Sequence, residues 1–97
     1  MEITVYSIPS CSYCTHLAEL MRRANQTPEY IGVGVVRREF DGLDGVYDGY
    51  MSKKDFKEKF PNAPGYPWVI IDGEEIGGLY ETATFFVKNN LVSSKKR

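Results

Sequence analysis

The chain has 97 residues, of which 42% are hydrophobic and 26% charged, and a formal net charge of -1. That is enough chain for one domain with a modest core, at a composition ordinary for a globular protein. The near-neutral balance argues against a general nucleic-acid binder, which needs a basic face to meet phosphates, and no apolar run approaches the length of a membrane span.

Ile3, Val5, Tyr6 and Ile8 form a β-rich run that Pro9 ends, which predicts a first, central strand. From Ser12 the period changes. Cys14, Leu17, Ala18, Met21 and Ala24 recur at helical spacing, with Thr15, Glu19, Arg22, Arg23 and Gln26 on the opposite face. Thr27-Pro28 closes that helix, because the residue before proline avoids the helical region. Residues 30–40 read as a second strand in which Gly32 and Gly34 mark a bulge or an edge. Residues 41–49 hold three glycines and three aspartates and read as a loop. The spacing of Asp41, Asp44 and Asp48 does not match a calcium loop and is turn chemistry.

Ser52 with Asp55 resembles a capping box that opens a short helix with Phe56 and Phe60 on one face, and Pro61 stops it. Trp68-Val69-Ile70-Ile71 is a third strand, Asp72-Gly73 a hairpin turn, and Glu75-Ile76 a short fourth strand broken by Gly77-Gly78. Ala83, Phe86, Val87 and Leu91 pattern a last helix over about 81–91. The order β-α-β-α-β-β-α predicts an α/β mixed four-stranded sheet with helices on both faces. The first two strands are expected to be parallel and the last two antiparallel. Lys95-Lys96-Arg97 ends the chain as a solvated basic tail over 93–97, behind a single domain over 1–92. The opening Met1-Glu2-Ile3-Thr4-Val5 goes straight into strand pattern with no secretory signal, so a cytoplasmic protein is expected, and a monomer.

Both cysteines of the chain, Cys11 and Cys14, fall in one C-x-x-C at the strand-to-helix junction. With no further cysteine to build a disulfide framework, that usage fits a reducing compartment and a catalytic or metal-binding pair. A sulfur at a helix start meets unpaired N–H groups and the positive end of the macrodipole, which favour a thiolate. His16 is not a haem-attachment histidine, since Thr15 separates it from Cys14, and it falls on the polar side of the helix. Structural zinc needs four ligands, more than these residues offer. Gly77-Gly78 permits close approach of a ligand to the backbone, and the helix that follows offers N–H groups to a carboxylate. The same glycines also serve as a helix-opening turn.

The chain resembles a glutaredoxin of the thioredoxin-fold superfamily, with a dithiol C-S-Y-C motif. The matching residues span nearly its whole length: Val5-Tyr6-Ser7 leading into Cys11-Ser12-Tyr13-Cys14, then Tyr66-Pro67, Val69-Ile70-Ile71-Asp72-Gly73, and Ile76-Gly77-Gly78. The resemblance implies a thioredoxin-like fold and a glutathione-dependent thiol–disulfide oxidoreductase. It implies a cis Pro67 facing the dithiol, so that Tyr66 docks a cysteinyl backbone as an extra strand. It further implies that Tyr13 packs against glutathione and that Gly78, Leu79, Tyr80 and Glu81 hold its γ-glutamyl end. Ser12 stands where the family usually has proline. Ile8 stands where a lysine is common, which leaves Lys53, Lys54 or Lys57 as candidate cations.

By the same resemblance, Cys11 is the attacking thiolate. The mixed disulfide it forms is resolved by a second glutathione, or by Cys14 closing a Cys11–Cys14 disulfide, at family potentials of roughly -200 to -230 mV. Two other readings remain open. One is a [2Fe-2S] cluster carrier using Cys11 and glutathione between two subunits, to which Ser12 points. The other is a dedicated electron donor to one disulfide-bearing protein such as a ribonucleotide reductase.

Overall fold

The structure, a computed structural model, describes residues 1–35, 39–40 and 45–92. The basic tail at 93–97 and positions 41–44 of the acidic loop lie outside the described residues. The elements are β1 (Ile3–Ser7), α1 (Ser12–Arg23), β2 (Glu29–Val33), β3 (Glu39–Phe40), β4 (Gly45–Val46), β5 (Gly49–Met51), α2 (Lys53–Lys59), β6 (Trp68–Ile71), β7 (Glu74–Gly77) and α3 (Leu79–Lys88).

Strand β1 is central, as its run of β-branched and aromatic residues predicts. It pairs parallel with β2, Val5 opposite Tyr30, and antiparallel with β6, Val5 opposite Val69. β6 and β7 form the expected antiparallel hairpin. Asp72 (φ 51°) and Gly73 (φ 84°) both lie in the left-handed region that a tight two-residue hairpin turn requires. The class is the one expected, a mixed sheet with helices on both faces, but the main sheet has five strands in the order β5-β2-β1-β6-β7.

The difference lies in residues 30–51. The second strand stops at Val33, because Gly34 turns the backbone left-handed at φ 67°. Glu39–Phe40 leaves it to pair antiparallel with Gly45–Val46 in a separate two-stranded sheet. Gly49–Met51 then adds parallel to β2, so β2 is covered on both sides and is no edge. Gly32 is required for packing: a Cβ there would stand 2.7 Å from Val35 Cγ2 and 3.0 Å from the Tyr47 ring.

The helices also shift. α1 ends at Arg23, with Ala24 as cap, since Asn25 turns left-handed (φ 58°) before Thr27-Pro28 is reached. α2 opens as read, Ser52 Oγ accepting the Asp55 N–H at 3.0 Å. α3 starts two residues before the predicted position and stops before Asn89, followed by Asn90 at φ 61°.

Period-two alternation sorts the sheet into two cores. Ile3, Val5, Val69 and Ile71 face α1 and α3, where they pack with Leu17, Met21 and Phe86. Tyr6 and Val33 face the other layer with Phe56, Phe60 and Ala63. That second core is aromatic: the Tyr6 ring lies 5.5 Å from Phe56 and 5.0 Å from Phe60, and Phe56 lies 5.0 Å from Tyr66. The Tyr66 contact ties the loop before β6 to α2. At the far end of the same sheet, β1 delivers the chain to α1 at the two cysteines.

Candidate active site

Between β1 and α1, Ser10 takes the left-handed conformation (φ 57°) and Cys11 returns to an extended one (φ -124°, ψ 113°) as the N-cap of α1. Cys11 Sγ then acts where a serine or aspartate oxygen usually does, accepting the Cys14 N–H at 3.2 Å. The Cys11 carbonyl accepts from Thr15 twice, from N–H at 3.0 Å and from Oγ1 at 3.2 Å. No acidic residue occupies the first turn of α1, so the sulfur has its positive end to itself.

The two thiols, both free, are unlike. Cys11 is partly exposed, whereas Cys14 is only 2% exposed. Burial pushes the Cys14 thiol well up, its hydrogen bond with Cys11 adds to this, and a backbone hydrogen bond with Ile8 opposes. Cys14 therefore keeps its proton while Cys11 is reachable. Ser12 is exposed, and among the described residues no hydrogen bond joins its hydroxyl to Cys14.

A stability prediction follows from the raised Cys14 thiol. A folded pKa above the unfolded value contributes stability that is complete below the unfolded thiol pKa of about 8.5 and is lost as pH rises toward the folded value. Burial, with Asp48 nearby, likewise raises Tyr30 to about 12, and this tyrosine acts only above its unfolded value of about 10. The urea midpoint should fall from about pH 8.5 upward, and in Cys14→Ala only from about pH 10. Superimposable pH profiles for the two proteins would refute the assignment.

Beside the dithiol runs a groove of about 280 Å³. Its lining brings together Tyr13, Tyr66, Pro67, Gly78, Leu79, Tyr80 and Glu81, all of the residues singled out in the sequence as glutathione contacts. The Tyr66–Pro67 peptide bond is cis. Cys11 and Cys14 do not line the groove; their motif borders it through Tyr13. Tyr13 and Tyr80 meet edge to face at 6.3 Å, joining the tips of α1 and α3. Pro64, Gly65 and Trp68 also line it, residues whose only sequence signal is that they flank Tyr66-Pro67. The Trp68 indole N–H donates to Glu75 Oε1 at 3.1 Å, which fixes the ring.

At the other wall, the Pro67 carbonyl packs against Gly78, where a Cβ would meet it at 3.4 Å, an ordinary van der Waals contact. The start of α3 is not wholly open to a ligand carboxylate. Glu81 Oε1 accepts the Gly78 N–H at 3.0 Å, the half of a capping box available to a glycine N-cap. The acid thus covers one donor and makes this end of the groove negative. Gly77 allows the arrangement: it sits at φ 132°, and a Cβ on it would stand 2.7 Å from Glu81 Cβ. Gly77→Ala should therefore cost about 1–3 kcal/mol in urea unfolding, while Gly65→Ala, with nothing within 4 Å of the added atom, stays within about 0.5 kcal/mol. Equal losses in both would contradict this account.

Lys53, Lys54 and Lys57 lie elsewhere, in a second cleft of about 500 Å³ that shares Tyr66 with the groove. His16 is exposed, in a cleft between α1 and α3 with Glu19 and Arg23. Among the described residues no group of three His, Cys, Asp or Glu could hold a metal ion, and no helix is long and apolar enough to cross a membrane. The chain offers a single reachable cysteine sulfur, Cys11, fewer ligands than a [2Fe-2S] cluster takes.

The β-α-β core, the antiparallel hairpin and the closing helix together make a thioredoxin-like fold. No protein-family model and no curated relative matches the sequence. Among solved structures the chain is similar to E. coli glutaredoxin, with a TM-score of 0.53 and 17% identity over 92% of this chain and 96% of that one.

Proposed function

We propose that the protein is a glutathione-dependent thiol–disulfide oxidoreductase that acts as a cytoplasmic monomer through Cys11 and Cys14. The observation that carries this reading is the asymmetry of the pair. Cys11 Sγ is partly exposed and accepts a helix N–H, while Cys14 is buried and protonated. The reachable Cys11 thiolate attacks one sulfur of a disulfide, and the other sulfur leaves as a thiolate. Cys14 loses its proton and attacks Cys11 Sγ, which closes the ring and releases the second thiol. Two electrons have then passed from the protein dithiol to the substrate, and two glutathione thiols restore them.

The groove suits a γ-glutamyl group, which carries an ammonium and a carboxylate. Glu81 complements the first, and the first-turn N–H groups of Leu79 and Tyr80 remain for the second. Tyr13 and Tyr66 flank the thiol end. The test is a coupled assay with glutathione, glutathione reductase and a small mixed disulfide. Saturable turnover is expected; turnover only with thioredoxin reductase would instead favour the dedicated-donor reading. The cluster-carrier alternative predicts visible absorbance in protein purified anaerobically with glutathione, and colourless protein that takes up no iron and sulfide removes it.

A further inference from the structure

The positive charge of this molecule has an uneven distribution that glutathione does not account for. The net charge is -1, yet the second cleft gathers three lysines, Lys53, Lys54 and Lys57, against one acid, Glu58. All three lysines are exposed, and among the described residues none forms an ion pair; Arg22 with Glu19 is the pair seen there. Lys53 is partly held, its stem lying over Gly34 so closely that a Cβ there would stand 2.7 Å from Lys53 Cγ. The cleft meets the groove at Tyr66, which lines both, and the groove's own charged lining residue is Glu81. The two hollows that meet at Tyr66 thus carry opposite charge, Glu81 in one and a surplus of lysines in the other.

A single glycyl carboxylate needs one cation. The cleft offers a surplus of two, in a volume larger than that of the groove itself. Resting on the oxidoreductase reading above, we infer that the lysine cleft selects protein disulfides whose reacting cysteine is followed or preceded by an acidic segment, with the segment seated along Lys53, Lys54 and Lys57. Like charges on a basic substrate segment would be repelled there, so the cleft both attracts one class and excludes the other. The chemistry is that of the site already described. Cys11 breaks the substrate S–S bond and forms a mixed disulfide, Cys14 then closes the protein disulfide, and both substrate sulfurs leave as thiols.

The test is single-turnover stopped flow with pre-reduced protein and no glutathione, read by the fluorescence of Trp68, the one tryptophan of the chain. Three synthetic peptide disulfides of one length are compared, their flanks carrying Asp/Glu, Asn/Gln or Lys. The acidic peptide should react about tenfold faster than the neutral one at low ionic strength, and the ratio should shrink with added salt. In K53Q/K54Q/K57Q the ratio should fall to about one, and in K54E/K57E the basic peptide should become the preferred one. A wild-type ratio near one, or a ratio unchanged by the triple substitution, overturns the inference. Failure of the underlying reading looks different: wild type would then leave all three peptides oxidised.

Discussion

Cys11→Ser abolishes turnover of a small glutathione mixed disulfide, whereas Cys14→Ser keeps it and loses only the reduction of substrates that need the second sulfur. The expectation follows from geometry. Cys11 is the sulfur that solvent reaches and that a helix N–H meets, and an alcohol at that place is not ionised near neutral pH. Cys14 lies behind it, 2% exposed and with its proton held, so a small mixed disulfide can be resolved by a second glutathione without it. Loss of Cys11 should lower the rate by at least about a thousandfold, a barrier change near 4 kcal/mol. The coupled glutathione assay checks it, with mass spectrometry of Cys14→Ser to capture a glutathione adduct on Cys11. Equal survival of both variants would refute the mechanism, as would an adduct on Cys14 in Cys11→Ser.

Phe86→Ala is the second large effect, and it falls on stability. Phe86 is fully buried where α3 meets the sheet, packed in one core with Val5, Leu17, Met21 and Val69. Removing a buried phenylalanine ring forfeits its transfer energy and leaves a cavity, together about 3–5 kcal/mol. Small domains rarely hold more than about 5–15 kcal/mol in total, so the variant should be near unfolding at room temperature. Phe85→Ala, at a partly exposed neighbour, should cost clearly less. Urea unfolding followed by far-ultraviolet circular dichroism separates them; equal midpoints would show that α3 is not docked through Phe86.

Much of this was legible in the sequence because a strong local signal and the tertiary role coincide. The apolar run Trp68-Val69-Ile70-Ile71 placed β6 to the residue, and in the structure its successive side chains meet opposite cores. Leu17 and Met21 announced α1 by their spacing for the same reason. β5 was not legible. Gly49-Tyr50-Met51 is three residues with a glycine and no apolar alternation, and it is a strand because the edge of β2 is there to pair with. The ladder between Glu39–Phe40 and Gly45–Val46 depends in the same way on a partner rather than on composition. Helix ends shifted because single left-handed residues, Asn25 and Asn90, stop helices that apolar spacing alone would extend. In the site, the motif residues of the groove were readable, but the covering of the Gly78 donor by Glu81 was not, because a carboxylate three residues after a glycine has no distinctive pattern until the backbone around Gly77 is seen.

The stack of rings beneath Tyr66 has a mechanical consequence. Tyr66 rests on Phe56, and Phe56 on Tyr6 and Phe60, so the wall shared by both clefts is continuous with the central strand and with the short α2. A substrate that presses on that wall loads α2 directly, and slowed hydrogen exchange in α2 should report occupancy of a groove that α2 does not line.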